Sequence, residues 1–222
     1  MSAPSVLYDL HGHQALPIWF DVTAMSVNCL FGAAVARNRN APIFATIMAG
    51  LLVGLGGGMV RDMLLGLEPA AISGWYYIPC GILGAIIGAL VFHRVVAMSN
   101  GFLIANGLTL GVLVTIGAQK ALDYQAPIIS AIALGVVTAS FGGMLADVFA
   151  GYRASAFRQA HWVASSLVCG SIVFVAVTLL LGFWVAVVLS VATTATLRFV
   201  SQKKNWPSPH WPKESLVTQP ES

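Results

Sequence analysis

Residues 50–66 read GLLVGLGGGMVRDMLLG, and residues 135–151 read GVVTASFGGMLADVFAG. Sliding the first by 85 positions places Gly50 on Gly135, Gly57 on Gly142, Gly58 on Gly143, Met59 on Met144, Asp62 on Asp147 and Gly66 on Gly151. The register extends upstream, where Ala41-Pro42-Ile43 falls on Ala126-Pro127-Ile128. Residues 41–66 share ten identities in 26 positions with their partners, without a gap. Glycine-interrupted apolar segments at matching places in two halves point to a path between repeats.

The surrounding composition sets the solvent. The chain has 222 residues, 58% hydrophobic and 9% charged, where soluble domains carry about 25% charged residues. It is therefore read as an integral membrane protein. The formal charge of +3 does not argue for a nucleic-acid partner, because the basic residues fall in loops and the C-terminal tail, where topology accounts for them. Cys29, Cys80 and Cys169 each lie in an apolar run at no metal spacing, which makes them packing residues. Residues 1–16 lack a basic stretch before a short apolar core, so the first span is expected to remain in the mature protein.

A spanning helix takes about 20 mostly apolar residues. That length divides the chain into Leu16–Ala36, Ala41–Leu65, Trp75–Ala97, Gly101–Leu122, Ala126–Ala150, Ala160–Leu180 and Phe183–Val200. Residues 160–200 would run to about 60 Å as one helix, twice the hydrocarbon thickness, so they fold back near Leu181-Gly182. The expected fold is an all-α polytopic membrane protein of seven transmembrane helices. An odd number of spans separates each repeat position from its partner, so residues 16–97 and 101–182 are expected to be inverted three-helix repeats. Residues 183–200 form the seventh helix, residues 1–15 an extracytoplasmic N-terminus, and residues 201–222 a disordered cytoplasmic tail. With the N-terminus outside, nine of the eleven Lys and Arg lie in cytoplasmic segments, all but Arg61 and Lys120. The orientation is thus N-out, C-in.

Three glycines in a membrane helix permit a kink or an unwound turn, and backbone freed there must line a cavity or be buried in protein. The alternative is close packing, since Gly50, Gly54 and Gly58 also form GxxxG steps. The repetition of Gly-Gly-Met-x-x-Asp favours the break; Gly81, Gly84 and Gly88, which have no such echo, are read as packing residues. Arg61 and Asp62 follow the break within the second span. They either face an aqueous path or form a helix end, with Arg61 snorkelling and Asp62 capping. Asp147 has Ala146 beside it where Asp62 has Arg61, and lies near Arg153 and Arg158. Asp21 and Asn28 share a helix face, as do Thr115 and Gln119; Lys120 is either a pore-lining charge or a snorkelling helix end near Asp123. Thr138 and Ser140 either offer hydroxyls to a passing ion or bond back to their helix. Met59, Met144 and Phe141 are candidates for the narrowest point. His11, His13, His93, His161 and His210 form no ligand set, and no nucleophile–base pair, phosphate loop or metal spacing is present, so no catalysis and no cofactor are expected.

These residues resemble the prokaryotic TRIC family, the trimeric intracellular cation channels, over residues 16–200 or so; related bacterial sequences carry a glycine-transporter label. The resemblance rests on GGGMVRDMLLG and its echo FGGMLADVFAG. It implies a homotrimer with one pore in each subunit, the second and fifth spans kinked at Gly56, Gly57, Gly58, Gly142 and Gly143. It also implies permeation of monovalent cations, chiefly potassium with sodium alongside, in a bacterial inner membrane in contact with its lipid. Two departures stand out: Phe141 replaces the first glycine of the echo, and Ala146 replaces the arginine.

The expected function is a potassium-permeable channel, with Arg61, Asp62, Thr138, Ser140 and Asp147 lining the path. The rival is a carrier for a small zwitterion such as glycine, in which half-helix amides hold the carboxylate and Asp62 or Asp147 the ammonium.

Overall fold

The computed structural model describes residues 18–97, 99–151 and 163–204. Expectations for residues 1–15, for the tail beyond Lys204, for Arg153 and Arg158 and for the Arg94 side chain lie outside what is described. The described residues form eight helices: α1 (Ile18–Asn38), α2 (Ile43–Leu64), α3 (Ala70–Ser73), α4 (Tyr77–Ala97), α5 (Ser99–Asp123), α6 (Ile128–Phe149), α7 (Val163–Leu180) and α8 (Phe183–Lys203). Six of them (α1, α2, α5, α6, α7 and α8) are long and apolar enough to cross a membrane. A further apolar stretch, Tyr77–Phe92 within α4, is shorter. Each long helix falls within about three residues of its expected span. The additional element is α3, a single turn behind Pro69.

Backbone chemistry ends these helices where the sequence says it should. Pro42 and Pro127 precede α2 and α6 with φ of −56° and −54°, values the pyrrolidine ring supplies at no cost. Asn40 and Gln125 end α1 and α5 in the left-handed region at 59° and 56°. The next amide, of Ala41 or Ala126, reaches back to the carbonyl of Ala36 or Ala121, the closing bond of a Schellman turn. Gly66 and Gly151 end α2 and α6 at 70° and 73°, and Gly182, at 103°, makes the reversal between α7 and α8.

Packing follows the same 85-residue rhythm. Helix α2 lies on α1 and crosses α6; α6 lies on α5 and α7; α8 packs on α5 and α7. A Cβ on Gly50 would meet the Cys29 carbonyl at 2.8 Å and Ala33 at 3.1 Å, while one on Gly135 would meet the Val114 carbonyl at 2.9 Å and Ala118 at 3.2 Å. Gly32 lies against Val53 and the Ala49 carbonyl, Gly117 against Thr138 and the Leu134 carbonyl. Each contact is the other moved by 85. Gly84 and Gly88 press on the carbonyls of Ser26 and Leu30 in α1, so these two serve helix packing, as read.

Polarity is inverted relative to a soluble protein. Asn28, Thr46, Arg61, Asp62, Thr115, Thr138, Ser171 and Ser190 are buried, whereas Leu83, Leu90, Ile129 and Phe149 are exposed. Buried hydroxyls join helices: Ser171 Oγ donates to the Ile132 carbonyl at 2.9 Å, and Ser190 Oγ to the Gly170 carbonyl at 2.8 Å. Exposed Trp19, Trp75 and Trp184 ring one end of the bundle, while Arg37, Arg39, Lys203 and Lys204 gather at the other. An aromatic girdle and a basic end are what a bilayer's two interfaces select.

Candidate functional site: the glycine crossing and its two ion pairs

The two repeated stretches meet each other. A Cβ on Gly57 would run into the carbonyl of Thr138, and one on Gly142 would lie 2.5 Å from the carbonyl of Val53. Thr138 stands 85 positions after Val53, so these are twin contacts. Because Gly57 meets Thr138 while Gly142 meets Val53, numbering rises along one helix as it falls along the other. Helices α2 and α6 therefore cross antiparallel, backbone on backbone. Gly56 joins them, its Cβ position 3.2 Å from the Cα of Gly142. Gly58 and Gly143 turn away: the first would place a Cβ no nearer than 3.8 Å, to an Arg61 nitrogen, and the second meets nothing within 4 Å. Close approach of backbones is the use of small residues in membrane interfaces.

The helices stay α-helical through this crossing, so of the kink or unwound turn expected at Gly56–Gly58 and Gly142–Gly143 the unwound turn is absent. The cause is visible in the packing: a glycine pressed against a facing carbonyl has its neighbours held, and continuous helical bonding satisfies backbone that has no water to turn to. Thr138 and Ser140 bond back along their own helix, to the Leu134 carbonyl at 2.6 Å and the Val136 carbonyl at 2.7 Å, the second of the two roles read for them.

One end of the crossing holds a charge cluster. Asp62 is fully buried at 0% exposure and Arg61 is 2% exposed. The Arg61 Nε donates to Asp62 Oδ1 at 2.8 Å, and Lys120 Nζ reaches the same oxygen at 2.9 Å. The other oxygen, Oδ2, accepts the backbone N–H of Ala70, the first residue of α3, at 3.0 Å. Asp62 thus anchors the chain leaving α2 from within a buried ion triad, and both Arg61 and Asp62 also border the cavity beside the crossing. Lys120 is not the snorkelling partner of Asp123. Asp123 accepts instead from Gln119 Nε2 at 2.8 Å, and the lysine, 28% exposed, crosses to the other half of the molecule, where it adds a second cation to the Asp62 oxygen that Arg61 already holds.

The opposite end carries the counterpart. Asp147 pairs with Arg39 at 3.1 Å, the two side chains 14% and 33% exposed. Asp62 and Asp147 are repeat equivalents, and each draws its cation from the end of the first long helix of the other half. Sequence reading looked for the partner of Asp147 at Arg153 and Arg158, next in the chain; Arg39 lies 108 residues away. Its signal was indirect, a cation at the end of the first span one turn beyond the position equivalent to Lys120.

A cavity of about 30 Å³ lies beside the crossing at the Asp62 end, walled by Asp21, Gly58, Met59, Arg61, Tyr77 and Thr138 among others. That volume holds about two water molecules. At its edge the Tyr77 hydroxyl donates to Asp21 Oδ2 at 2.6 Å. Tyr77 was missed in the sequence, where nothing ties a residue after a loop to the first turn of α1. Met59 reaches the cavity; Phe141 and Met144, both partly buried, are not among its lining residues. Asn28, on the same face of α1 as Asp21, donates to the Ala24 carbonyl at 2.8 Å and is not among the lining residues.

An apolar exterior, a buried ion triad and a chamber that receives Asp21, Arg61 and Tyr77 beside two crossing helices define a polytopic helical membrane protein with its polar groups turned inward. The chain belongs to the family described as "Glycine transporter", whose model matches residues 18–93 and 103–179. The two matched segments begin 85 positions apart. Similar proteins include the UPF0126 inner membrane protein YadS of Escherichia coli K12, 26% identical over 140 residues, covering 61% of this chain and 66% of that protein. A UPF0126 membrane protein of Vibrio cholerae is 27% identical over 152 residues, covering 68% of this chain and 64% of its own length. Both matches span just under two-thirds of the relative. Among solved structures, a TRIC cation channel superposes with a TM-score of 0.78 at 23% identity, over 89% of this chain and 98% of that one. The TRIC trimeric intracellular cation channel orthologue from Rhodobacter sphaeroides gives a TM-score of 0.71 at 25% identity, over 85% and 95%. The resemblance to the TRIC family is thereby shown, and the chain is an integral inner-membrane protein.

Proposed function

We propose that this protein is a cation channel permeable to potassium, each subunit of a homotrimer carrying its own pore between α2 and α6. Seven spans run N-out and C-in, with residues 16–97 and 101–182 as inverted repeats. The observation that carries the reading is the pair of crossed ion pairs, Asp62–Lys120 and Asp147–Arg39, one at each end of the glycine crossing. They hold the two halves together on both sides of the crossing, so a path between α2 and α6 is closed while both stand. Opening separates the helices at Gly56, Gly57 and Gly142, while Gly58 and Gly143 beside them leave each helix free to bend. The similar solved structures are cation channels. The test is a planar-bilayer recording of the purified protein in asymmetric potassium chloride. Discrete steps reversing near the potassium potential are expected, and a bilayer that stays silent overturns the proposal.

The second reading, a carrier for a small zwitterion, is favoured by one feature. The cavity places the Asp21 carboxylate and the Arg61 guanidinium in its wall together, the two signs that an amino acid presents. Saturable uptake of radiolabelled glycine into liposomes, without single-channel steps, selects it.

A further inference from the structure

Asp62 cannot serve a passing ion in this arrangement. Its two oxygens are taken by Arg61, Lys120 and the Ala70 amide, and it has no exposed surface. Two cations on one carboxylate leave that triad with a net charge of +1, which repels a cation and attracts an anion. A cation pathway that passes here needs another negative group. Asp21 is the acid that remains in the cavity wall. Its charge offsets the +1 of the Arg61–Lys120–Asp62 triad beside the chamber. Its Oδ2 accepts the Tyr77 hydroxyl, and among the described residues Oδ1 has no donor. The carboxylate stands in the first turn of α1, half-buried, so it is open to water on one side and fixed by Tyr77 on the other. Gly58 faces the same chamber, where a Cβ would meet only an Arg61 nitrogen at 3.8 Å.

We propose that Asp21, held by Tyr77, is the group that draws a partly hydrated monovalent cation into the chamber and sets preference for cations over anions, whereas Asp62 is a structural counter-ion. The proposal rests on the channel reading for its consequence in permeation, but the site itself is a statement about binding. A carboxylate oxygen replaces one water of the ion's shell, and the chamber's roughly two water-sized places hold the ion and about one retained water, the remaining shell facing the open side. Attraction by a half-buried charge also depends on ionic strength, since salt screens it over about 10 Å at 0.1 M.

Two measurements decide it separately from the channel reading. Crystals of the wild-type protein soaked in rubidium chloride are expected to show anomalous scattering next to Asp21, and crystals of Asp21→Asn to lack it; no rubidium at Asp21 in the wild type overturns the site whether or not the protein conducts. In bilayers, Asp21→Asn is expected to lower the potassium-to-chloride permeability ratio several-fold, most at low salt, while Asp21→Glu retains the wild-type ratio. A conducting wild type whose reversal potential is unchanged in Asp21→Asn overturns the role in selection and leaves the channel standing. Tyr77→Phe removes the holding bond but keeps the charge. It is expected to broaden the rubidium peak without moving the reversal potential, and a shift as large as that of Asp21→Asn would overturn the division of roles between charge and positioning.

Discussion

Lys120 and Asp62, 58 residues apart in the chain, meet at 2.9 Å across the boundary between the two halves. The carboxylate is fully buried while the ammonium is partly exposed, and Arg61 already serves the same oxygen. The two partners are therefore unequal, and their removal has unequal cost.

Asp62→Asn strands a buried guanidinium and releases the α3 amide. A loss of about 3–5 kcal/mol is expected, the cost of breaking a buried pair from one side. Lys120→Met leaves Arg61–Asp62 intact and removes a partly exposed partner, so its loss is about 1 kcal/mol or less. Thermal melting in detergent measures both. A smaller loss for Asp62→Asn than for Lys120→Met would contradict the inequality described above. In bilayers Lys120→Met is expected to raise open probability, because one of the two latches is gone.

The glycines separate into two classes by what a methyl group would meet. Gly57→Ala drives a Cβ into the Thr138 carbonyl, and Gly142→Ala places one 2.5 Å from the Val53 carbonyl. Each is expected to cost at least 1–3 kcal/mol, the range of overpacking at about one added carbon. Gly143→Ala meets nothing within 4 Å and gains up to about 1 kcal/mol of helix propensity. If Gly143→Ala is stable yet conducts poorly, the glycine is needed for bending; if stability and current are both kept, the bend lies elsewhere.

The pair at the basic end is weaker. Arg39 and Asp147 are partly solvated, so a double-mutant cycle of Arg39→Gln and Asp147→Asn is expected to yield about 0.2–1 kcal/mol of coupling, falling as salt rises. Coupling above that range, or insensitivity to salt, would mean the pair is shielded in the assembled membrane protein.

Orientation is testable at the two ends. Cysteine placed at the exposed Glu68 is expected to react with a membrane-impermeant thiol reagent added outside intact cells. Cysteine placed at Lys204 is expected to react only after the membrane is opened. Native Cys29, with no exposed surface, stays silent in both. The reverse pattern would invert the bundle.

Most of the fold was legible because a bilayer is a demanding solvent. Apolar length alone placed the long helices, and the recurrence of Ala-Pro-Ile and Gly-Gly-Met-x-x-Asp fixed which segments correspond. Pairing was not legible. Lys120 lies three residues before Asp123, and Asp147 six before Arg153, so local spacing offered each a neighbour. The observed partners are brought up by the antiparallel crossing, which joins positions 58 and 108 residues apart. The glycines were read as breaks on the strength of their repetition, yet a pseudo-two-fold axis repeats a packing contact as faithfully as it repeats a bend. Tyr77 and α3 escaped because both are positioned by Asp21 and Asp62, not by their own sequence.

The backbone-on-backbone crossing of α2 and α6 makes each half the other's missing surface. A polypeptide severed between α4 and α5 and produced as two fragments retains, in each fragment, one glycine face and one carboxylate that only the other fragment satisfies. Such fragments are expected to recombine in the bilayer into a working unit, and the crossing behaves as a dimer interface that happens to be closed by a covalent tether.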